Sequence, residues 1–327
     1  MDLPIKTWVV VGFLFALGGC AHAPPLERHQ YVQLLMGVQV RLVTHATDEP
    51  TAKAAAKAAF ERVAELEDIM SDYRPDSELM RLCARAGQGP VPVSQELFEV
   101  LAYAQKVSQA SDGAFDVTVG PYVNLWRTAR KTQALPAGSA LADAGLHVGW
   151  RKMKLDPRNQ TVELTIPGMK LDLGAIAKGY AGDEAIRVLK ANGIRSALFE
   201  AGGDIVVSNP PPHSRGWIIE TSDRQKHTLA NSAISTSGDT EQFVDIAGVR
   251  YSHVVDPRTG IGLTKHFMAT VIAPRGITTD SLSTAATVLG PGRGDALIRS
   301  FRGARGTIRI ARETTSSRSS TTSSANP

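Results

Sequence analysis

Val32, Leu34, Met36, Val38, Val40 and Leu42 are apolar at every second position, with mostly polar residues between them. A period of two buries one face of an extended chain, so the pattern predicts a half-buried strand with Gly37 on its other face. The period then changes. With Thr47 or Asp48 as cap and Pro50 in the first turn, an Ala-rich stretch up to Met70 reads as a helix. Its buried stripe is Ala59, Phe60, Val63, Leu66 and Met70. A polar turn from Ser71 to Asp76 leads into a short helix capped by Asp76 or Ser77, and a longer helix starts at Ser94 and reaches about Gln109.

Residues 111–121 are too rich in special residues for a plain connector, and loops of that kind commonly line sites. Residues 152–170 predict a hairpin turning at Asp156-Pro157-Arg158-Asn159. Residues 171–173 read as the end of a strand, followed by Gly174 and a helix to about Asn192 that closes at Gly193. In that reading Lys178 sits one to two turns into the helix. A strand pair or bulged strand at 196–207 carries Gly202-Gly203-Asp204, and further strands are expected at 217–220, 233–236, 249–255 and 267–273. Thr278-Thr279-Asp280 reads as the cap of a helix over 281–289, followed by a short helix near 295–301 and a last strand near 307–310. Strands and helices mix without βαβ regularity, so the fold class is α+β, with mainly antiparallel mixed sheets and packed helices in one domain, 31–312.

Charge changes this picture little. The 327-residue chain carries +4, but from Arg293 onward seven Arg face only Asp295 and Glu313, a local +5 that leaves the remainder at −1. That basic end lacks aromatic interleaving and any nucleic-acid motif, so no nucleic-acid partner is expected. From Thr314 the sequence is almost all Ser and Thr, and 313–327 is expected to stay unfolded.

The other end is more informative. Lys6 precedes an apolar run from Trp8 to Leu17, which ends in Leu17-Gly18-Gly19-Cys20. The run is too short for a comfortable membrane span and fits a signal peptide, 1–19. Its ending resembles the lipobox of bacterial lipoproteins, with Cys20 as the lipidated residue and 20–30 as a tether. A plain secretory signal with a chance cysteine is the other reading. Cys83 would then be the sole remaining thiol, without a disulfide partner, and reads as a small core residue.

The chemistry centres on residues 171–182. A helix start suits a phosphate, whereas Asp172 beside it would repel one. Either a divalent cation bridges them, or Asp172 accepts hydrogen bonds from another part of a ligand, or Asp172 simply stabilises its helix. Asp280 and Thr284 are four apart on a helix, a pair of hard oxygen ligands suited to Mg²⁺ or Ca²⁺, unless Asp280 only caps. His253 sits on an expected strand just before the turn Asp256-Pro257-Arg258-Thr259-Gly260, where it could act as a general base or be structural. No Ser–His–Asp hydrolase signature, zinc cluster, P-loop or GxGxxG is present.

Together these pieces carry a resemblance. Met36-Gly37, Met70-Ser71-x-Tyr73-Arg74-x-Asp76-Ser77-Glu78-Leu79, Gly113-x-Phe115-Asp116-x-Thr118-Val119-Gly120-Pro121, Asp172-x-Gly174-Ala175-Ile176-Ala177-Lys178-Gly179, Gly202-Gly203-Asp204, His253-x-x-Asp256-Pro257-x-Thr259-Gly260 and Asp280-x-x-x-Thr284 stand in an order that resembles the ApbE family. Those proteins are FAD:protein FMN transferases, envelope lipoproteins of bacteria that flavinylate redox proteins. The resemblance implies a T-fold-like core, FAD as substrate and Mg²⁺ at its pyrophosphate. It also implies a partner redox protein whose Thr or Ser hydroxyl attacks the FMN-side phosphorus, with AMP leaving. By the same resemblance Asp280, Thr284 and the Ala175 carbonyl hold the metal. Met36, Tyr73, Gly113, Ala114, Phe115, Asp172, Lys178 and Val254 contact FAD, and His253 is the candidate base. An FAD pyrophosphatase and a non-catalytic flavin carrier are the rival readings. The Arg-rich segment beyond Leu289 departs from the family pattern. Ala21 leaves open which envelope membrane would hold the lipid anchor.

Overall fold

The structure, a computed structural model, describes residues 25–222, 224–238 and 243–310. The expectations for the signal peptide, Cys20 and the 313–327 tail fall outside those residues.

The first strand pattern resolves into two strands, β1 (Glu27–Leu35) and β2 (Val38–Ala46), rather than one. The reason is local. Met36 and Gly37 both take positive φ, 52° and 72°, the conformation of a two-residue hairpin turn, and Leu35 pairs with Val38 across it. β1 also begins inside the expected tether, since residues 27–30 already pair with β2.

Helix α1 (Glu49–Met70) follows, with the Asp48 carboxylate accepting the Thr51 N–H, a cap worth about 1 kcal/mol. Next come α2 (Glu78–Ala84), capped by Ser77, a short β3 (Val91–Pro92), and α3 (Gln95–Ala110), capped by Ser94. Sequence reading left residues 122–149 unassigned; they form most of α4 (Gly120–Thr132) and all of α5 (Gly138–Leu146). The expected hairpin is β4 (Met153–Asp156) and β5 (Thr161–Leu164). Helix α6 (Ala177–Ala191) is closed by Gly193 at φ 82°. β6 (Ser196–Ala201) and β7 (Asp204–Val207) turn at Gly202-Gly203, both at positive φ.

The chain continues through β8 (Trp217–Glu220), β9 (Lys226–Leu229), β10 (Ser232–Ser237), β11 (Phe243–Ile246), β12 (Val249–Ser252), β13 (Val255–Asp256), β14 (Ile261–Gly262) and β15 (Phe267–Ala273). Helices α7 (Gly276–Leu289) and α8 (Arg293–Ser300) and strand β16 (Arg305–Ile310) complete it.

Seven strands make the main sheet in the order β1-β2-β6-β7-β10-β15-β16, every neighbouring pair antiparallel. Alternation along the strands sends Val40, Leu42, Phe199, Ala233 and Val271 to one face, where they pack with buried residues of α1, α6 and α7. The opposite face carries Val43, Leu198, Val207, Ile234 and Ile272 and is covered by Trp217, Ile219 and Leu229 of the β8–β9 hairpin. A third cluster joins Tyr122, Trp126 and Ala129 of α4 to Val244, Ile246 and Val255. The class is α+β, as expected. Among the described residues no helix is long and apolar enough to cross a membrane.

Candidate active site

Helices α6 and α7 cap one another. Asp183, on α6, accepts the N–H groups of Gly276 (2.6 Å) and Ile277 (3.1 Å), the first two residues of α7. Asp280, on α7, accepts the Gly179 N–H (2.9 Å) in the first turn of α6. The opening N–H groups of a helix have no partner within it, so each carboxylate satisfies donors of the other helix. Burial pushes the Asp183 carboxyl up to about 6, against the pull of those two N–H groups and of Arg275. The expectation that Thr278-Thr279-Asp280 caps a helix starting at 281 is therefore corrected. α7 begins at Gly276, because Asp183 supplies its cap from another element, and Asp280 lies inside the helix with 4% of its surface exposed.

The start of α6 is also later than expected. Residues 171–176 form no strand, and the helix begins at Ala177, so Lys178 is its second residue rather than one to two turns in. The Gly179 N–H, which a regular helix would send to the Ala175 carbonyl, goes to Asp280 instead. Lys178 Nζ donates to the Gly174 carbonyl (3.0 Å) and pairs with Asp204 (3.0 Å). Burial opposes its charge, but Asp204, Asp280 and Asp172 hold the ammonium well above its ordinary pKa. Burial first, and then the nearby Asp204, raise the Asp280 carboxyl; Lys178 and the N–H groups of Gly179 and Lys178 work the other way. A Cβ on Gly202 would lie 3.2 Å from Val38 and 3.7 Å from Lys178 Cε, so the β1–β2 tip bearing Met36 stands at this end of the sheet.

Thr284 is one turn on from Asp280, and its Oγ1 lies 3.5 Å from Ser237 Oγ at the end of β10. Among the described residues no group of three or more His, Cys, Asp or Glu is placed to hold a metal, so a zinc-type protein cage is not what the chain offers. One buried carboxylate, one hydroxyl and a carbonyl released from its usual helical partner do fit a hard cation that takes its other oxygens from water and substrate.

A second group surrounds Asp172. Its Oδ1 accepts the Gly174 N–H (2.9 Å), and its Oδ2 faces Arg127 (3.1 Å), which also binds Asp72 (2.6 Å). Tyr73 stacks on the Arg127 guanidinium at 4.2 Å and is 74% exposed. Asp172 is tied to the 111–121 loop, since its N–H donates to the Val117 carbonyl (2.8 Å). In that loop the Asp116 carboxylate gathers Thr118 N, Thr118 Oγ1 and Trp150 N. Gly113 takes φ 74°, while Ala114 and Phe115 are buried, so their side chains belong to the core and only backbone there could meet a ligand.

His253 is not on a strand. It occupies a bend between β12 and β13, where the Ser252 hydroxyl accepts the Val254 N–H (3.0 Å) and interrupts pairing. This hairpin is fastened to α4 by Trp126, whose Nε1 donates to the Gly260 carbonyl (2.8 Å) and whose ring lies 5.2 Å from that of Tyr251. Adjacent residues of α4, Trp126 and Arg127, thus hold the His253 hairpin and Asp172.

A model of the ApbE family matches residues 36–308. The chain belongs to the ApbE family. A relative from Treponema pallidum (strain Nichols), named FAD:protein FMN transferase, is 33% identical over 90% of this chain and 88% of its own. One of the same name from Haemophilus influenzae is 32% identical over 74% of this chain and 76% of its own. The flavin transferase ApbE from Vibrio cholerae superposes with a TM-score of 0.77 at 29% identity, covering 88% of this chain and 95% of that one. The apo flavinyl transferase ApbE of Pseudomonas stutzeri gives 0.75, also at 29% identity, over 87% and 95%. The ApbE fold therefore accounts for the sheet and helices described above.

Sequence reading missed Asp72, Arg127, Asp183 and Ser237. Arg127 had a usable signal, since Pro121 in the first turn announces α4. Asp183 had none: its role depends on a helix 93 residues away.

Proposed function

We propose that this ApbE-family chain is an FAD:protein FMN transferase that uses Mg²⁺ and delivers FMN to a Thr or Ser hydroxyl of an acceptor redox protein. The family carries flavin transfer from FAD; the electrostatics support the divalent cation. Among the described residues, Asp72, Asp172, Asp204 and Asp280 stand with the cations Arg127 and Lys178. A pyrophosphate brought to that surface would meet net negative charge, so a divalent cation is required. The carrying observation is Asp280, a buried carboxylate inside α7, facing the start of α6.

Asp280, the Thr284 hydroxyl and the Ala175 carbonyl would hold the cation. When bound, it neutralises the pyrophosphate and polarises the attacked phosphorus. Lys178 presents a fixed positive charge beside it, and Asp172 accepts hydrogen bonds from FAD. His253 takes the proton from the acceptor hydroxyl at a ring nitrogen. That oxygen bonds to the FMN-side phosphorus, and AMP leaves with the bridging oxygen. Little covalent chemistry is asked of the protein, so positioning and charge dominate.

The test uses the protein lacking residues 1–20, incubated with FAD, Mg²⁺ and a candidate acceptor from the same envelope, followed by mass analysis. An acceptor carrying phosphoester-linked FMN, with AMP released, is expected. FMN and AMP without an adduct would make the protein a hydrolase, and unchanged FAD would make it a carrier. We also place it in the bacterial envelope, facing the periplasm and lipidated at Cys20. Fatty-acid labelling should be lost in Cys20→Ser.

A further inference from the structure

Arg127 belongs to no motif considered so far, yet it touches more of the site than any other side chain of α4. Its two terminal nitrogens bind carboxylates from different parts of the chain, Asp72 at 2.6 Å and Asp172 at 3.1 Å. Its flat face carries the Tyr73 ring at 4.2 Å. Its third nitrogen, Nε, is buried without a hydrogen-bond partner among the described residues. An unmet buried donor costs roughly 1–3 kcal/mol, and partly buried ion triads are inefficient stabilisers. Stability alone therefore explains the arrangement poorly, whereas orientation explains it well, because a planar fork fixes both partners at once.

We propose that Arg127 is the positioning residue of this site, one guanidinium orienting Asp172 as an acceptor while backing the exposed Tyr73 ring. The proposal rests on the reading that Asp172 and Tyr73 contact FAD. The paired chemistry, a carboxylate and an aromatic face, recognises a planar heteroaromatic ring with an N–H at its edge. FAD has two such rings, the isoalloxazine and the adenine.

Without Arg127 the balance at Asp172, which burial and Asp72 already tip toward the protonated form, tips further that way. The charged groups that face it are Asp72, Arg127 and Lys178, with the Gly174 N–H as its neutral partner. Burial and Asp72 already favour its protonated form, and Arg127 and Lys178 oppose them. Removing Arg127 leaves Lys178 alone, and Lys178 is shared with Asp204 and Asp280. Asp172 then keeps its proton to higher pH and cannot accept the edge N–H.

The experiment measures binding without turnover. The protein from residue 25 onward and its variants are titrated with FAD, with FMN and with AMP in chelator, from about pH 5 to 9. Arg127→Gln is expected to weaken FAD by roughly tenfold near neutrality and to make the affinity rise with pH. Adding Asp72→Asn removes the like charge and should restore much of the affinity at neutral pH, a rescue that a merely structural role would not produce. Arg127→Lys keeps the charge but not the fork, so its binding should weaken with a wild-type pH profile; it serves as the readout if Arg127→Gln does not fold. FMN weakened in parallel identifies the isoalloxazine as the ring; AMP weakened in parallel identifies the adenine. Wild-type affinity and pH profile in Arg127→Gln would overturn the proposal, and so would a loss that is equal at all pH values and unrelieved by Asp72→Asn. A wild-type protein that binds none of the three ligands would remove the flavin reading itself.

Discussion

Gly179 and Gly276 meet backbone to backbone where α6 crosses α7. A methyl group on Gly179 would lie 2.1 Å from the Gly276 carbonyl oxygen and 2.7 Å from Asp280 Cβ; one on Gly276 would lie 2.3 Å from the Gly179 carbonyl oxygen. Neither obstacle is a flexible side-chain end, so the helices would have to part. Gly179→Ala should therefore destabilise the fold by at least about 1–3 kcal/mol and abolish turnover. Gly37→Ala, at a turn with open space around it and φ 72°, should cost only about 1 kcal/mol. Urea unfolding of the two variants checks the contrast.

Asp280→Asn keeps an acceptor for the Gly179 N–H, so the variant should fold. It should lose Mg²⁺ binding and at least about a hundredfold in turnover. In the wild type, burial and Asp204 favour the protonated carboxyl, so Mg²⁺ affinity should fall as pH is lowered. Calorimetric Mg²⁺ titrations over pH test both statements. Tight Mg²⁺ binding by the Asn variant would remove Asp280 from the metal site.

Asp183 links pH to stability. Its pKa is raised in the fold to about 6, so its contribution is fully present below its unfolded value, near 3.8, and is lost as pH rises through about 6. The loss amounts to about 3 kcal/mol at most. Asp183→Asn should flatten the fall in stability over that window, as read from unfolding midpoints at stepped pH.

Trp126→Phe removes the donor to the Gly260 carbonyl and should cost about 1–3 kcal/mol. Because that bond fastens the hairpin bearing His253, turnover should fall more than FAD affinity. Comparing kcat with the Kd for FAD decides it, and equal losses would argue against a link between α4 and the base.

Cys83 is buried, and its Sγ accepts the Leu171 N–H (3.3 Å). Burial pushes the thiol up to about 11, which leaves on the order of one thiolate in a thousand at pH 8. Reaction with a thiol reagent should therefore track global unfolding.

The parts that could be read from the chain were those with local causes. The caps Asp48, Ser77 and Ser94 and the glycine turn at 202–203 act within a few residues, and each is one of the alternatives the pattern offered there. The failures have tertiary causes. Alternation runs unbroken through Met36-Gly37 because a two-residue turn preserves the period of two, so one strand and a hairpin look alike. The start of α7 was misplaced because its cap comes from α6, and the start of α6 because Asp280 draws off a helical N–H. Pro121 could have placed Arg127 on a helix, but not given it a role, since its two acids lie 45 and 55 residues away.

The β1 strand gives the molecule a fixed stand-off. It runs nine residues without a break from Glu27 to the turn at Met36, a rod of about 30 Å stiffened by pairing along its whole length. Glu27 stands at one end of that rod, and the turn at Met36, two residues from the Val38 that neighbours Gly202, at the other. The distance from Glu27 to that turn is set by strand length, and a two-residue deletion in β1 with its β2 partners would shorten it by about 7 Å.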